Sequence, residues 1–180
     1  HKREKITKTR FEDNTSCQIL LIKVENYKVE HIDYREIIKI YNNLYEGDKF
    51  NAIIISDYDK GFLDEEDIEY ICKNNDNVFI DTKKILGDWC LDADFIKINH
   101  VEYEHTEYSL NELNIEDKLI ITLSNKGCQY NGKIFPVEKV QIRDVSGAGD
   151  TFLAGLVAEY LRTGEIEEAI PFAQACATVV

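Results

Sequence analysis

The chain has 180 residues, enough for one substantial core and too few for two ordinary domains. With 44% hydrophobic residues and only 2 Pro and 9 Gly it reads as globular rather than disordered. A formal net charge of -13 argues against a nucleic-acid or anionic-membrane partner, because such surfaces need Lys and Arg in excess.

The chain begins with a basic lead-in holding Lys2, Arg3, Lys5, Lys8 and Arg10, of which Thr7-Lys8-Thr9-Arg10 alone reads as a solvated segment. Residues 1–30 are expected to form an edge strand or a lid-associated lead-in to a single domain over 1–180. Between Ser16 and Glu25 the run Ile19-Leu20-Leu21-Ile22 fits a strand or the start of a buried helix, and periodicity does not separate them. A helix is predicted from Asp33 to Tyr45, with Ile37, Ile38, Tyr41, Leu44 and Tyr45 on one face and Asp33 as N-cap.

Phe50 to Ser56 contains Ile53-Ile54-Ile55, which predicts a strand buried on both faces, as in a parallel sheet. It ends in Asp57-Tyr58-Asp59-Lys60-Gly61, and a helix from Asp64 to Lys73 follows with Ile68, Ile71 and Cys72 inward. Three further strands are predicted: Asn77 to Ile80, running into Asp81-Thr82-Lys83-Lys84; Asp94 to Ile98, running into Asn99-His100-Val101-Glu102; and Lys118 to Leu123, running into Ser124-Asn125-Lys126-Gly127. Asn131-Gly132 predicts a hairpin turn within Cys128 to Pro136, and a final helix is expected from Ile166 to Val179 with Pro171 near its start.

Strand, polar loop and helix alternate, which predicts a doubly wound, mostly parallel α/β sheet with helices on both faces. Ligands bind such sheets outside the carboxyl ends of the strands. Asp57, Lys60, Asp81, Lys83, Asn99, Glu102 and Ser124 all fall on that edge.

So does the stretch from Val140 to Tyr160. A short strand, Val140 to Ile142, leads into Gly147-Ala148-Gly149-Asp150 and directly on into an apolar-periodic helix. A helix start leaves backbone N–H groups without intrahelical partners, and the positive end of the dipole stands behind them. Gly147 and Gly149 let an anion approach those groups. Asp150 reads either as an ordinary cap or as a base that takes the proton of an attacking hydroxyl while the N–H groups hold a phosphoryl group.

The 5 cysteines, Cys17, Cys72, Cys90, Cys128 and Cys176, lack Cys-x-x-Cys spacing, so neither a disulfide framework nor a zinc site is predicted and a reducing cytoplasm is the expected home. No apolar run reaches the length of a membrane span, and no signal peptide is visible. The chain opens on His1, contains no Met and stops at Val180 within a helical pattern, so a piece of a longer protein is expected.

Taken together, these motifs resemble the ribokinase-like (PfkB-type) carbohydrate kinases. Asp144-Val145-Ser146-Gly147-Ala148-Gly149-Asp150 is similar to the family's Asp-Thr-x-Gly-Ala-Gly-Asp signature, with Val145 where Thr is usual. The resemblance implies an anion hole at Gly147, Ala148 and Gly149, Asp150 as catalytic base, and ATP and Mg²⁺ as cofactors. Asn99-His100-Val101-Glu102 is similar to the Asn-x-x-Glu motif, and Thr122-Leu123-Ser124-Asn125-Lys126-Gly127 to a nucleotide-binding Thr-Leu-Gly-x-x-Gly loop. By that resemblance Lys97, Asn99, Glu102, Thr122, Ser124 and Gly127 lie on the nucleotide side, with Glu102 reaching Mg²⁺ through water. Asp57, Lys60, Asp81, Lys83 and Asp144 lie on the substrate side.

Within the family, Ser56 to Gly61, Asp81 to Lys84 and Thr7 to Arg10 look most like the heptose-7-phosphate kinases, which act on D-glycero-D-manno-heptose 7-phosphate and are sometimes fused to a nucleotidyltransferase. The resemblance thus implies a sugar phosphate and ATP as partners, a fused nucleotidyltransferase in the parent protein and, by analogy, a homodimer. The residues alone leave other readings open. Asn99 and Glu102 also fit a helix cap, Lys60 and Lys83 exposed loop charges, and Asp57 and Asp81 turn residues. A binding module without catalysis, or a kinase for another sugar or a nucleoside, fits the same motifs. His100 and His105 read as surface residues.

Overall fold

A computed structural model describes residues 7–12, 19–25, 33, 35–36, 50–137 and 147–179. Strand β1 (Thr7–Glu12) pairs antiparallel with β2 (Ile19–Glu25), with Thr7 opposite Glu25 and an irregularity between Phe11 and Glu12. The Ile19 run is therefore a strand, and Thr7 to Arg10 lies in the strand paired with it. Its Thr and Phe residues suit a pleated backbone despite the intervening charges. Most of the helix expected from Asp33 to Tyr45, and the strand expected from Val140 to Ile142, lie outside the described residues.

The remaining strands build one sheet in the order β3 (Ile53–Asp57), β4 (Val78–Thr82), β5 (Phe95–Asn99), β6 (Leu119–Thr122), β7 (Cys128–Tyr130) and β8 (Lys133–Phe135). From β3 to β6 neighbours are parallel; β7 and β8 add an antiparallel hairpin. Asn131 and Gly132 both take positive φ, 46° and 72°, the backbone that a tight hairpin turn of matching twist requires.

Successive side chains of a strand face opposite sides of the sheet, so each strand feeds two cores. Val78, Ile80, Ile96 and Ile98 bury one face together with Ile68, Ile71 and Cys72 of helix α1 (Glu65–Asn74). Tyr103 and Leu113 of α2 (His100–Leu113) pack on that side as well. Phe79 and Ile120 serve the opposite face, against Leu153 and Leu156 of α3 (Ala148–Thr163) and Ile170 and Ala173 of α4 (Ile166–Ala177). The expected mostly parallel sheet with helices on both faces is thus observed. Burying one such side chain completely stabilises the fold by about 1.5–3 kcal/mol, so Phe79 and Ile80 on opposite faces of β4 anchor the two layers.

Three details differ from expectation. Ile54 is 46% exposed, so β3 is not buried on both faces: it is the first strand of the described sheet, with β4 its one partner there. Strand β4 runs on through Asp81 and Thr82, which are strand residues rather than loop residues. Helix α4 ends at Ala177, short of Val179. Among the described residues no helix is long and apolar enough to cross a membrane.

Local chemistry sets the helix ends. Asp64 accepts from the N–H of Asp67 at 2.9 Å while the Asp67 carboxylate accepts from the N–H of Asp64 at 3.2 Å, a reciprocal cap for α1. Asn99 and Glu102 do the same for α2.

Candidate active site

The carboxyl ends of β3, β4 and β5 and the amino end of α3 meet at one edge. Gly147 caps α3 with φ 87°, a left-handed conformation that costs any other residue strain, and offers no side-chain acceptor to the first-turn N–H groups. Ala148, Gly149 and Asp150 follow in that first turn, with the Asp150 carboxylate exposed.

Lys97 of β5 stands behind this turn. Asp81 and Lys97 are paired in register on adjacent strands, and Lys97 Nζ lies 2.7 Å from Asp81 Oδ2. Both side chains are buried, and a Cβ on Gly149 would stand 3.1 Å from the same ammonium. Burial raises the Asp81 carboxyl above its usual range against the opposing pull of Lys97 and Lys83, since removal from water penalises the charged form. Asp81 is therefore no turn residue, and Lys97 places a buried positive charge behind the first turn of α3.

A second group lies on the same edge. Lys83 pairs with the Glu102 carboxylate, whose other oxygen accepts from the N–H of Asn99 at 2.8 Å. Asn99 Oδ1 in turn accepts from the N–H groups of Val101 and Glu102, both at 2.9 Å. The capping role of Asn99 and Glu102 is thus realised, on the edge where a nucleotide role also puts them. Burial lowers the Lys83 pKa, and the hydrogen bond and charge of Glu102 outweigh it, so the net shift is upward.

Asp57 does behave as a turn residue. It is buried, accepts from the N–H of Asp59 at 3.0 Å and from Thr82 Oγ1 at 3.1 Å, and lies 3.4 Å from Lys84 Nζ. Lys60 sits exposed on the following loop. Of the nucleotide-loop residues, Thr122 donates its hydroxyl to the Ile98 carbonyl at 3.3 Å, and Ser124 opens an exposed 3₁₀ turn with φ 53°. Gly127 has a packing reason: a Cβ there would lie 2.0 Å from the Phe135 carbonyl oxygen of the hairpin. Asp144 lies outside the described residues, and His100 and His105 are exposed as expected.

Sequence reading passed over Tyr58 and Lys84. Tyr58 Oη lies 3.2 and 3.3 Å from the two Asp150 oxygens, and Lys84 Nζ lies 2.6 Å from Asp59 Oδ1. The signal available for Tyr58 was its place in a strand-ending polar loop between Asp57 and Lys60.

Among the described residues no three His, Cys, Asp or Glu side chains converge on a metal-sized site. Both Glu102 oxygens are engaged, one by Lys83 and the other by the Asn99 N–H, so this lone carboxylate fits magnesium only as a contact through the ion's own water.

A model of the pfkB family carbohydrate kinases matches residues 55–180. Among curated relatives, the bifunctional protein HldE of Campylobacter curvus is 31% identical over 185 residues, covering 91% of this chain and 39% of that protein. HldE of Sulfurimonas denitrificans is 29% identical over 182 residues, covering 89% and 38%. The chain thus spans about two fifths of the length of these relatives. A ribokinase structure from Thermotoga maritima superposes with a TM-score of 0.68 at 20% identity, over 98% of this chain and 63% of that one. A nucleoside kinase from Methanocaldococcus jannaschii does so with 0.61 at 20%, over 99% and 62%. At such identity the structures speak for the fold alone, whereas the family model covers well over half the chain and includes the Gly147–Asp150 turn: the chain belongs to the pfkB family of carbohydrate kinases.

Proposed function

We propose that the parent protein transfers the γ-phosphoryl group of ATP to a hydroxyl of a sugar phosphate. The observation that carries this reading is the convergence at the α3 amino end: an uncapped helix start at Gly147, the buried ammonium of Lys97 behind Gly149, and the exposed carboxylate of Asp150 in the first turn.

In this reading the acceptor hydroxyl gives its proton to Asp150 as its oxygen bonds to the γ-phosphorus. The bond from that phosphorus to the β,γ-bridging oxygen breaks, and ADP leaves. The N–H groups of Gly147, Ala148 and Gly149, with Lys97, offset the charge on the group in transfer. Magnesium, when bound with ATP, supplies charge neutralisation on the phosphates. Glu102 would hold it through water, with Asn99 fixing the Glu102 backbone. Asn99, Thr122, Ser124 and Gly127 are assigned to the nucleotide side, and Asp57, Lys60, Asp81, Lys83 and Asp144 to the substrate side. Within these sets, Asp57 and Asp81 act by holding the loops and the Lys97 ammonium.

The narrower acceptor, D-glycero-D-manno-heptose 7-phosphate, is favoured by the likeness of Ser56 to Gly61 and Asp81 to Lys84 to heptose-phosphate kinases, and by the HldE relatives at 26% to 31% identity. Lys60 and Lys83 follow β3 and β4 on the ligand edge of a chain whose formal net charge is -13, which suits an acceptor already carrying phosphate. The name "bifunctional" of those relatives supports a fused second domain in the parent, and the likeness to heptose-phosphate kinases favours a nucleotidyltransferase for it.

The test is ADP release from ATP by the full-length protein with the heptose 7-phosphate, ribose, fructose 6-phosphate or adenosine. A response to the heptose phosphate alone is expected. A response to another acceptor only would retain the kinase and change its substrate, and silence with all four despite ADP binding would replace it with a binding module.

A further inference from the structure

Tyr58 reaches Asp150 across 92 residues of chain, and its phenol donates toward both carboxylate oxygens at nearly equal distances, 3.3 Å to Oδ1 and 3.2 Å to Oδ2. Both are longer than an optimal single O–H···O bond of about 2.7–2.8 Å, and neither oxygen is preferred. Catalytic hydrogen bonds in ligand-free enzymes are commonly long and tighten when substrate binds.

The loop that carries Tyr58 is held firmly. Lys84 Nζ bridges Asp59 Oδ1 at 2.6 Å and Asp57 Oδ2 at 3.4 Å, so its charge grips the residues on either side of Tyr58. Asp59 turns the chain directly afterwards with φ 51°. Lys83 Nζ lies 5.9 Å from the centre of the Tyr58 ring and is itself paired with Glu102. The charged groups that face the phenol are Asp150, Asp81 and Lys83; partial removal from water, though Tyr58 stays 51% exposed, and then the Asp150 charge raise its pKa. Tyr58 is thus a proton donor in a hydrogen bond and not a rival base.

We propose that Tyr58 is the positioning residue of Asp150, its phenol fixing the orientation in which the carboxylate faces the acceptor hydroxyl. The inference rests on Asp150 being the general base. The acceptor proton goes to Asp150, and Tyr58 keeps its own throughout. Because Lys83 connects the Tyr58 ring to Glu102, the arrangement also ties the orientation of the base to the magnesium and nucleotide edge.

The test is a double-mutant cycle in the full-length protein, with Tyr58→Phe, Asp150→Asn and both, using an acceptor that supports ADP release. Tyr58→Phe is expected to lower kcat roughly ten- to a hundredfold, the scale on which a misplaced catalytic group acts. The KM values for ATP and acceptor should stay within about twofold, with the melting temperature unchanged. The double variant should be no slower than Asp150→Asn alone, since Tyr58 acts through Asp150.

Near-normal turnover of Asp150→Asn would remove the base on which the inference rests. A slow Asp150→Asn variant combined with wild-type kcat in Tyr58→Phe, or with losses that multiply, would retain the base and overturn the role of Tyr58. A raised acceptor KM at unchanged kcat would make Tyr58 a substrate contact and equally overturn it.

Discussion

Lys97 Nζ lies 2.7 Å from Asp81 Oδ2, and the same ammonium is 3.1 Å from where a Cβ on Gly149 would stand. One buried cation thus stands both in a cross-strand ion pair and behind the first turn of α3, where the proposed phosphoryl group would lie. The sheet interior and the site chemistry meet at this atom.

Removing that cation should expose the cost of a buried carboxylate. Lys97→Met leaves Asp81 without its partner, and breaking a buried pair from one side typically costs about 3–5 kcal/mol. Asp81 already has its pKa raised by burial, and losing Lys97 raises it further. A carboxyl raised in the folded state favours folding at acid pH and loses that contribution as pH climbs through its folded pKa. Thermal melts should therefore show a small deficit for Lys97→Met near pH ~4 and a large one near pH ~8. An equal deficit at both would contradict the assignment of the charge to Asp81.

The two cradle glycines should respond differently to alanine. Gly149 has ordinary helical geometry, so Gly149→Ala leaves stability nearly unchanged or raises it by up to about 1 kcal/mol, while the new methyl crowds Lys97 and the anion. Kinetics should show weaker ATP use without a lower melting temperature. Gly147 has φ 87° and open space around it, so Gly147→Ala strains the backbone by about 1–2 kcal/mol and should lower the melting temperature. Equal thermal effects from the two would sink this division of roles.

Three thiols should be inert in the folded protein. Burial pushes Cys72 and Cys128 up to about 12 and Cys90 up to about 11, and the thiolate is the reactive form. Mass spectrometry after iodoacetamide treatment at mildly alkaline pH should find these three unmodified in native protein and modified in urea. Rapid native labelling at any of them would show that its core is open.

Much of this architecture is legible from residue order, because the parallel strands β3 to β6 are short, largely apolar runs followed by polar residues that mark the ligand edge. What escapes is whatever depends on position across the sheet. Ile54 reads as buried because an isoleucine run carries no information about which strand stands first. Asp81 reads as a loop residue because Asp is disfavoured in strands, and only its register with Lys97 explains its place inside β4. Asn99 and Glu102 fit two roles from sequence because one spacing serves both a capping box and a phosphate-edge motif, and the structure realises the cap. The polar loop after β3 marks Tyr58 as lying on the ligand edge, but not its partner: it meets Asp150 only because the end of β3 and the start of α3 share that edge.

The most direct test of the central claim is turnover and ADP affinity of Asp150→Asn in the full-length protein, side by side with the unaltered enzyme. Phosphoryl transfer should fall by about 10²–10⁴-fold, the usual contribution of a general base, while the ADP dissociation constant stays the same. Turnover near that of the unaltered enzyme would contradict the account, because the Gly147–Asp150 turn would then be only a helix cap.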